Sequence, residues 1–213
     1  MTRTRIKICG LTREADVDAA VEAGADAIGF VLYPRSPRHV DAARAAALAR
    51  RLPSFVTPVL LLVNASCAEL DCAVAAVPHA LLQFHGDETP TECESAGRAY
   101  LRAARMAPGL DLIDFATRFA SAQALLLDAH LEAYGGGGEV FDWSRIPPSV
   151  PLPVVLSGGL SPANVTDGVL SVRPWAVDVS SGVEVSKGIK SAPLMRRFCE
   201  AVREADRIAA NRT

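Results

Sequence analysis

Two side chains in this sequence are placed to move protons. Cys9 follows the short apolar run Arg5 to Ile8 and precedes Gly10, which sets a thiol at a strand end beside a close backbone turn. A free thiol has a pKa of about 8.5, so only a few per cent is thiolate near neutral pH, and cations such as the neighbouring Lys7 raise that fraction. Such a group serves as nucleophile or proton acceptor, whereas the same thiol on a buried strand with no partner is inert packing. Asp128 ends the apolar run Leu125-Leu126-Leu127. Burial there favours the protonated form of an unpaired carboxyl and makes it a proton donor, while pairing with a basic neighbour leaves it a structural group.

A second set of residues is suited to holding an anionic molecule. Ser157-Gly158-Gly159-Leu160 followed by Ser161-Pro162 reads as a glycine turn running into a helix start, and Ser180-Ser181-Gly182 supplies small residues and more exposed amides after the next apolar run. Backbone N–H groups at such turns suit a phosphate dianion. Tyr33-Pro34-Arg35-Ser36-Pro37-Arg38 is a proline-stiffened loop with two guanidiniums, able to clamp a carboxylate. Asn64, Gln83, His85 and Asp178 fall at other strand ends, His85 either as a ligand contact or as a satisfied structural histidine. Gly135 to Gly138 reads as a hinge for a lid or as a passive connection.

Positioning these groups requires a scaffold that brings many strand ends together. Short β-branched or apolar runs alternate with Ala-rich helical stretches along the whole chain, which is the α/β pattern. The expected strands are Arg5 to Ile8, Ala27 to Leu32, Pro58 to Val63, Ala80 to Phe84, Tyr100 to Arg105, Ala124 to Leu127, Val154 to Leu156 and Ala176 to Val179. Helix boundaries are written in Gly24 as a left-handed C-cap, in Thr89-Pro90-Thr91-Glu92 as a capping box, in Ser161-Pro162 and in Ser191. The last helix carries Met195, Phe198 and Val202 on one face. Eight such units in 213 residues leave roughly 27 residues each, which fits a single-domain (β/α)₈ TIM barrel with parallel strands over residues 1–213. An open doubly wound sheet is the competitor, but the first turn lacks its glycine-rich nucleotide fingerprint.

In such a barrel the functional groups gather at the C-terminal strand ends, and phosphate commonly sits on the loops after strands seven and eight. Strands one and six are three apart around the ring, so Cys9 and Asp128 are expected to face each other across the cavity. An acid and a base so placed move protons at two atoms of one small molecule. Composition narrows the class further. Half the residues are apolar and the net charge is -2, which argues against a general grip on nucleic acid. The apolar runs are too short to cross a membrane, the N-terminal residues lack a secretory pattern, and the expected location is cytoplasmic. Five cysteines and four dispersed histidines give neither a disulfide framework nor a metal-binding spacing, so no metal is expected.

Taken in order, several segments resemble the phosphoribosylanthranilate isomerase family. They are Lys7-Ile8-Cys9-Gly10-Leu11-Thr12, Gly24-Ala25-Asp26-Ala27-Ile28-Gly29-Phe30, Ser36-Pro37-Arg38, Gln83-Phe84-His85-Gly86 and Leu126-Leu127-Asp128. They continue in Tyr134-Gly135-Gly136-Gly137-Gly138, Phe141-Asp142-Trp143, Leu156-Ser157-Gly158-Gly159-Leu160 and Val177-Asp178-Val179-Ser180-Ser181-Gly182-Val183-Glu184. The resemblance covers the whole chain. It implies a cofactor-free Amadori rearrangement of N-(5-phosphoribosyl)anthranilate to 1-(2-carboxyphenylamino)-1-deoxyribulose 5-phosphate in tryptophan biosynthesis, by a monomer or homodimer. It also implies Cys9 as general base, Asp128 as general acid, Arg38 on the anthranilate carboxylate, Gln83, His85 and Asp178 against the substrate, and Gly158, Gly159, Ser180, Ser181 and Gly182 around the phosphate. Two positions depart from the family pattern: Gly137 stands where Ser or Thr is usual, and Ser191 where Asp is common. Two other functions compete, a catalytically silent phosphosugar-binding protein and a Schiff-base aldolase using Lys7.

Overall fold

In a computed structural model, which describes residues 3–129 and 141–211, eight parallel strands close into a barrel in sequence order, β1 pairing with both β2 and β8. The strands are β1 (Arg5–Cys9), β2 (Ala27–Val31), β3 (Thr57–Leu62), β4 (Leu81–Phe84), β5 (Tyr100–Arg105), β6 (Ala124–Asp128), β7 (Val154–Leu156) and β8 (Ala176–Val179). Helices α1 (Glu14–Ala23), α2 (Ala42–Ala49), α3 (Cys67–Ala76), α4 (Pro90–Ser95) and α5 (Leu112–Arg118) follow the first five strands in turn. After β7 comes α6 (Val165–Val172), and after β8 a small antiparallel pair, β9 (Glu184–Ser186) and β10 (Ile189–Lys190), precedes α7 (Ala192–Ala210). Residues 130–140, which include the Gly135 to Gly138 segment, lie outside the described residues. In the sixth unit the described chain resumes with a three-residue 3-10 helix, Trp143–Arg145, rather than an α-helix.

Strand alternation divides the apolar residues into two cores. Leu101, Ala103, Ala124, Leu126, Val155 and Ala176 fill the barrel's interior, and Cys9, Val31, Leu61 and Val63 form a second interior cluster toward the C-terminal strand ends. The opposite strand faces, among them Ile8, Phe30, Leu60, Leu125 and Val177, pack against the helices in the larger core. Met195, Phe198 and Val202 of α7 are fully buried there, each worth about 1.5–3 kcal/mol of burial.

The helix ends follow their chemistry at most expected points. Gly24 is left-handed at φ 92°, its amide donates to Ala20 and Val21 carbonyls, and an added Cβ would meet Arg203 Nη2 at 1.8 Å. Thr89 and Glu92 form the reciprocal capping box of α4, and the Ser191 hydroxyl accepts from Leu194 N at α7. Ser161 differs from expectation. It opens a turn in which its amide donates to Asn164 Oδ1 at 2.8 Å, and α6 begins only at Val165. The dipeptide signals a turn before the helix, because Asn164 captures the amide first. No helix among the described residues is long and apolar enough to cross a membrane.

Candidate active site

The thiol of Cys9 owes its place to a missing side chain on the neighbouring strand. Cys9 pairs in register with Gly29, where an added Cβ would lie 2.6 Å from Sγ. Two residues earlier on β1, Lys7 faces Asp178 of β8, and Nζ donates to Oδ1 at 2.8 Å with both groups buried. Ser157 donates to the other Asp178 oxygen at 3.4 Å. Burial alone would lower the Lys7 pKa, but Asp178 and Cys9 outweigh it and hold the ammonium above its ordinary value. For Cys9 the balance falls the other way. Burial pushes the thiol up, and the opposing pull of Lys7 and Lys190 does not overcome it. Lys7 does pull Cys9 toward the thiolate, as expected from sequence, but desolvation inside the closed barrel outweighs it.

On the opposite wall, Asp128 ends β6, three strands from β1 through β7 and β8. Its carboxyl is not unpaired. His85 Nε2 lies 3.1 Å from Oδ2, and Ala129 N donates to Oδ1 at 3.0 Å. Gln83 Nε2 contacts His85 Nδ1 at 3.2 Å, so Gln83 of β4, His85 just after it and Asp128 of β6 form one chain of hydrogen bonds. Gly158 must be glycine here: it is left-handed at φ 78°, and a Cβ would lie 3.0 Å from Asp128 Oδ1 and 2.6 Å from Ala129 N.

A buried bracket holds His85 on its loop. Glu88 accepts from the amides of Asn64 at 2.7 Å and Gly86 at 2.9 Å and from Arg102 Nη1 at 3.1 Å. Arg102 also donates to the Phe84 and Gly86 carbonyls and lies over the Phe119 ring at 4.8 Å. Burial outweighs Glu88 and lowers the Arg102 pKa.

Arg38 is buried and reaches the site across Gly10, whose added Cβ would strike Arg38 Cδ at 2.5 Å. Its Nε and Nη2 are both given to Glu184, each at 2.8 Å, which leaves Nη1 without a hydrogen bond among the described residues. Glu184 thus takes the side-on edge of the guanidinium, and the end-on edge, Nη1 with the second N–H of Nη2, is left for a carboxylate. Lys190 also donates to Glu184 at 2.7 Å and to the Ser180 carbonyl at 3.0 Å. Burial would raise the Glu184 carboxyl, but Arg38 and Lys190 hold it below its ordinary value. Arg35 is exposed and makes no hydrogen bond among the described residues.

The expected anion loops lie side by side after β7 and β8. Gly158 and Gly159 are both left-handed, at φ 78° and 64°, and their amides make no hydrogen bond among the described residues. Ser181 and Gly182 belong to a short 3-10 helix, with Gly182 pressed so close to the Leu160 carbonyl that a Cβ would lie 1.9 Å from its oxygen. Ser180 instead donates to the Cys9 carbonyl at 3.0 Å, so its hydroxyl braces the end of β1. No group of three or more His, Cys, Asp or Glu among the described residues is arranged to hold a metal ion.

Cys9, Lys7, Asp178 and Ser157 thus gather on one side of the barrel mouth, and Asp128, His85 and Gln83 on the other. The buried carboxylate Glu184, its partner Lys190 and the Arg102–Glu88 bracket were assigned no role from sequence. Arg102 gave a readable signal, a charge in the middle of an apolar strand that must find a partner. Glu184 and Lys190 gave none, since their pairing depends on the β9–β10 turn.

Comparison with known proteins agrees with this geometry. Residues 6–201 match the family described as N-(5'-phosphoribosyl)anthranilate (PRA) isomerase. A relative from Methylibium petroleiphilum named N-(5'-phosphoribosyl)anthranilate isomerase is 73% identical over 210 residues, covering 98% of this chain and 99% of its own. The crystal structure of phosphoribosyl anthranilate isomerase from Thermotoga maritima superposes with a TM-score of 0.87 at 36% identity, over 94% of this chain and 99% of that one. Another solved structure of the enzyme, in complex with reduced 1-(o-carboxyphenylamino)-1-deoxyribulose 5-phosphate, gives 0.84 at 34% identity over 94% and 99%. With a closed eight-strand barrel, Cys9 and Asp128 at the ends of its strands and relatives matched over nearly their full length, the chain belongs to the N-(5'-phosphoribosyl)anthranilate isomerase family.

Proposed function

We propose that this barrel, residues 1–213, isomerises N-(5-phosphoribosyl)anthranilate to 1-(2-carboxyphenylamino)-1-deoxyribulose 5-phosphate with Asp128 as general acid and Cys9 as general base. The observation that carries the assignment is their placement at the C-terminal ends of β6 and β1, three strands apart around one closed ring. Asp128 protonates the ribose ring oxygen, and the C1–O bond breaks to give the open-chain protonated imine. Positive charge on that imine acidifies the C2–H bond, and Cys9 as thiolate takes the proton to leave an enolamine. Protonation at C1 and loss of the C2 hydroxyl proton complete the ketone. The Gly158 and Gly159 amides, with Ser180, Ser181 and Gly182 beside them, hold the phosphate, and Arg38 Nη1 addresses the anthranilate carboxylate. Asp178 and its Lys7 partner lie beside the sugar, and the positive charge of the protonated imine, with the Lys7 ammonium, offsets burial of the thiolate.

The aldolase reading fails on a specific contact. A Schiff-base lysine must lose its proton to attack a carbonyl, yet Lys7 is locked to Asp178 at 2.8 Å and its pKa is raised. The proposal predicts that the gene restores growth without tryptophan to a strain lacking the isomerase. It further predicts that Cys9→Ala and Asp128→Asn each lower kcat at least about a hundredfold, the scale of a positioned acid or base. Near-normal turnover by either variant removes that residue from its role, and soluble protein that fails to restore growth supports the silent binding protein instead.

A further inference from the structure

Gln83 is fully buried inside the barrel, between Leu61 of β3 and Leu101 of β5 in register, where a leucine would pack as well as an amide. A buried amide among apolar neighbours is costly unless its atoms are hydrogen-bonded. Among the described residues its one hydrogen-bond contact is His85: Nε2 lies 3.2 Å from Nδ1, and Oε1 is buried with no partner there. The amide nitrogen can only donate, so His85 Nδ1 must accept, and the neutral ring then carries its proton on Nε2. That nitrogen points at Asp128 Oδ2, 3.1 Å away.

We infer that Gln83 is a positioning residue that selects the tautomer of His85, so that Nε2–H is ready to stabilise the carboxylate Asp128 becomes when its proton passes to the substrate. This rests on the reading of Asp128 as the proton donor. A preformed N–H donor aimed at the place where charge develops lowers the barrier without reorganisation at the moment of reaction. Turned end for end, the amide would accept from an Nδ1–H instead and leave Nε2 an acceptor, with no N–H to meet the carboxylate of Asp128 once its proton has gone. His85 itself is placed by the Glu88–Arg102 bracket around its loop, so the amide bears on the ring's tautomer and not on its position.

The test combines ¹⁵N NMR of histidine-labelled protein, with the His85 ring assigned by His85→Asn, and steady-state kinetics of Gln83→Met and Gln83→Glu. The expected wild-type signature without substrate is a protonated Nε2 and an unprotonated Nδ1. Gln83→Glu, read at a pH where its carboxyl is ionised and offers only acceptors, should place a proton on Nδ1, and Gln83→Met should leave a mixture of tautomers. Both variants should lower kcat about tenfold or more with KM essentially unchanged. Three results would overturn the inference: Nδ1 protonated in the wild type, the same tautomer in all three proteins, or a rise in KM at constant kcat, which would make Gln83 a substrate contact. If Gln83→Met does not fold, the isosteric Gln83→Glu still decides the matter. Failure of the underlying reading shows separately, as near-normal turnover by Asp128→Asn whatever the His85 tautomer.

Discussion

Inside the barrel mouth, a thiol and a carboxyl of ordinary reactivity are given different surroundings. The Cys9 thiol is raised by burial, so the base form needed to remove the C2 proton grows only as pH rises past the usual thiol range. We therefore expect kcat/KM, which reports the free enzyme, to go on rising above about pH 8.5, the ordinary thiol value. A plateau reached below neutral pH would contradict it. Because Lys7 pulls the thiol down, Lys7→Met should shift that rise to still higher pH, read from the same profile. Sequence alone located both groups, since each ends an apolar run. It could not supply their partners: Lys7 meets Asp178 across 171 positions, and His85 meets Asp128 across 43, so both pairings exist only once the ring closes.

Strands, turns and helix caps do the positioning, and small residues carry much of it. Gly29 gives the Cys9 sulfur its space, so Gly29→Ala should displace the thiol, lowering kcat while destabilising the fold by about 1–3 kcal/mol, the cost of overpacking. Turnover assays and thermal melts on the same preparation check both, and unchanged kcat would show that the sulfur's position is not critical. Thr89→Ala, by contrast, removes one side of the α4 capping box and should cost about 1 kcal/mol in denaturant unfolding without altering KM. Strand positions were readable because alternation and apolar runs are local, and most differ from expectation by a single residue. The β9–β10 pair was not readable: Glu184–Ser186 and Ile189–Lys190 are too short to show a period, and they are held by the ion pairs of Glu184. The pairing of Arg38 with Glu184 was not readable for the same reason, because Glu184 sits on that unrecognised turn.

Across the whole molecule, the two ends of the barrel have separate work. The proposed acid, base and phosphate loops share the C-terminal face. At the N-terminal face, Arg3, Arg5, Thr57 and Trp175 line a cavity of about 360 Å³. Arg5 lies 4.6 Å over the Trp175 ring, and Phe55 at the rim is 98% exposed. Phe55→Ser should leave kcat/KM within about twofold of wild type, since barrels of this kind place their chemistry at the other end. A large loss of activity in a folded Phe55 variant would mean that the floor contributes to the reaction. The central claim is that Cys9 and Asp128 act on one molecule from opposite walls, and a crystal structure of this chain with the reduced ketose product analogue bound tests it most directly. The account predicts Cys9 Sγ and an Asp128 carboxyl oxygen each within about 3.5 Å of the same sugar chain, on opposite sides of it. A bound analogue whose sugar reaches only one of the two would contradict it.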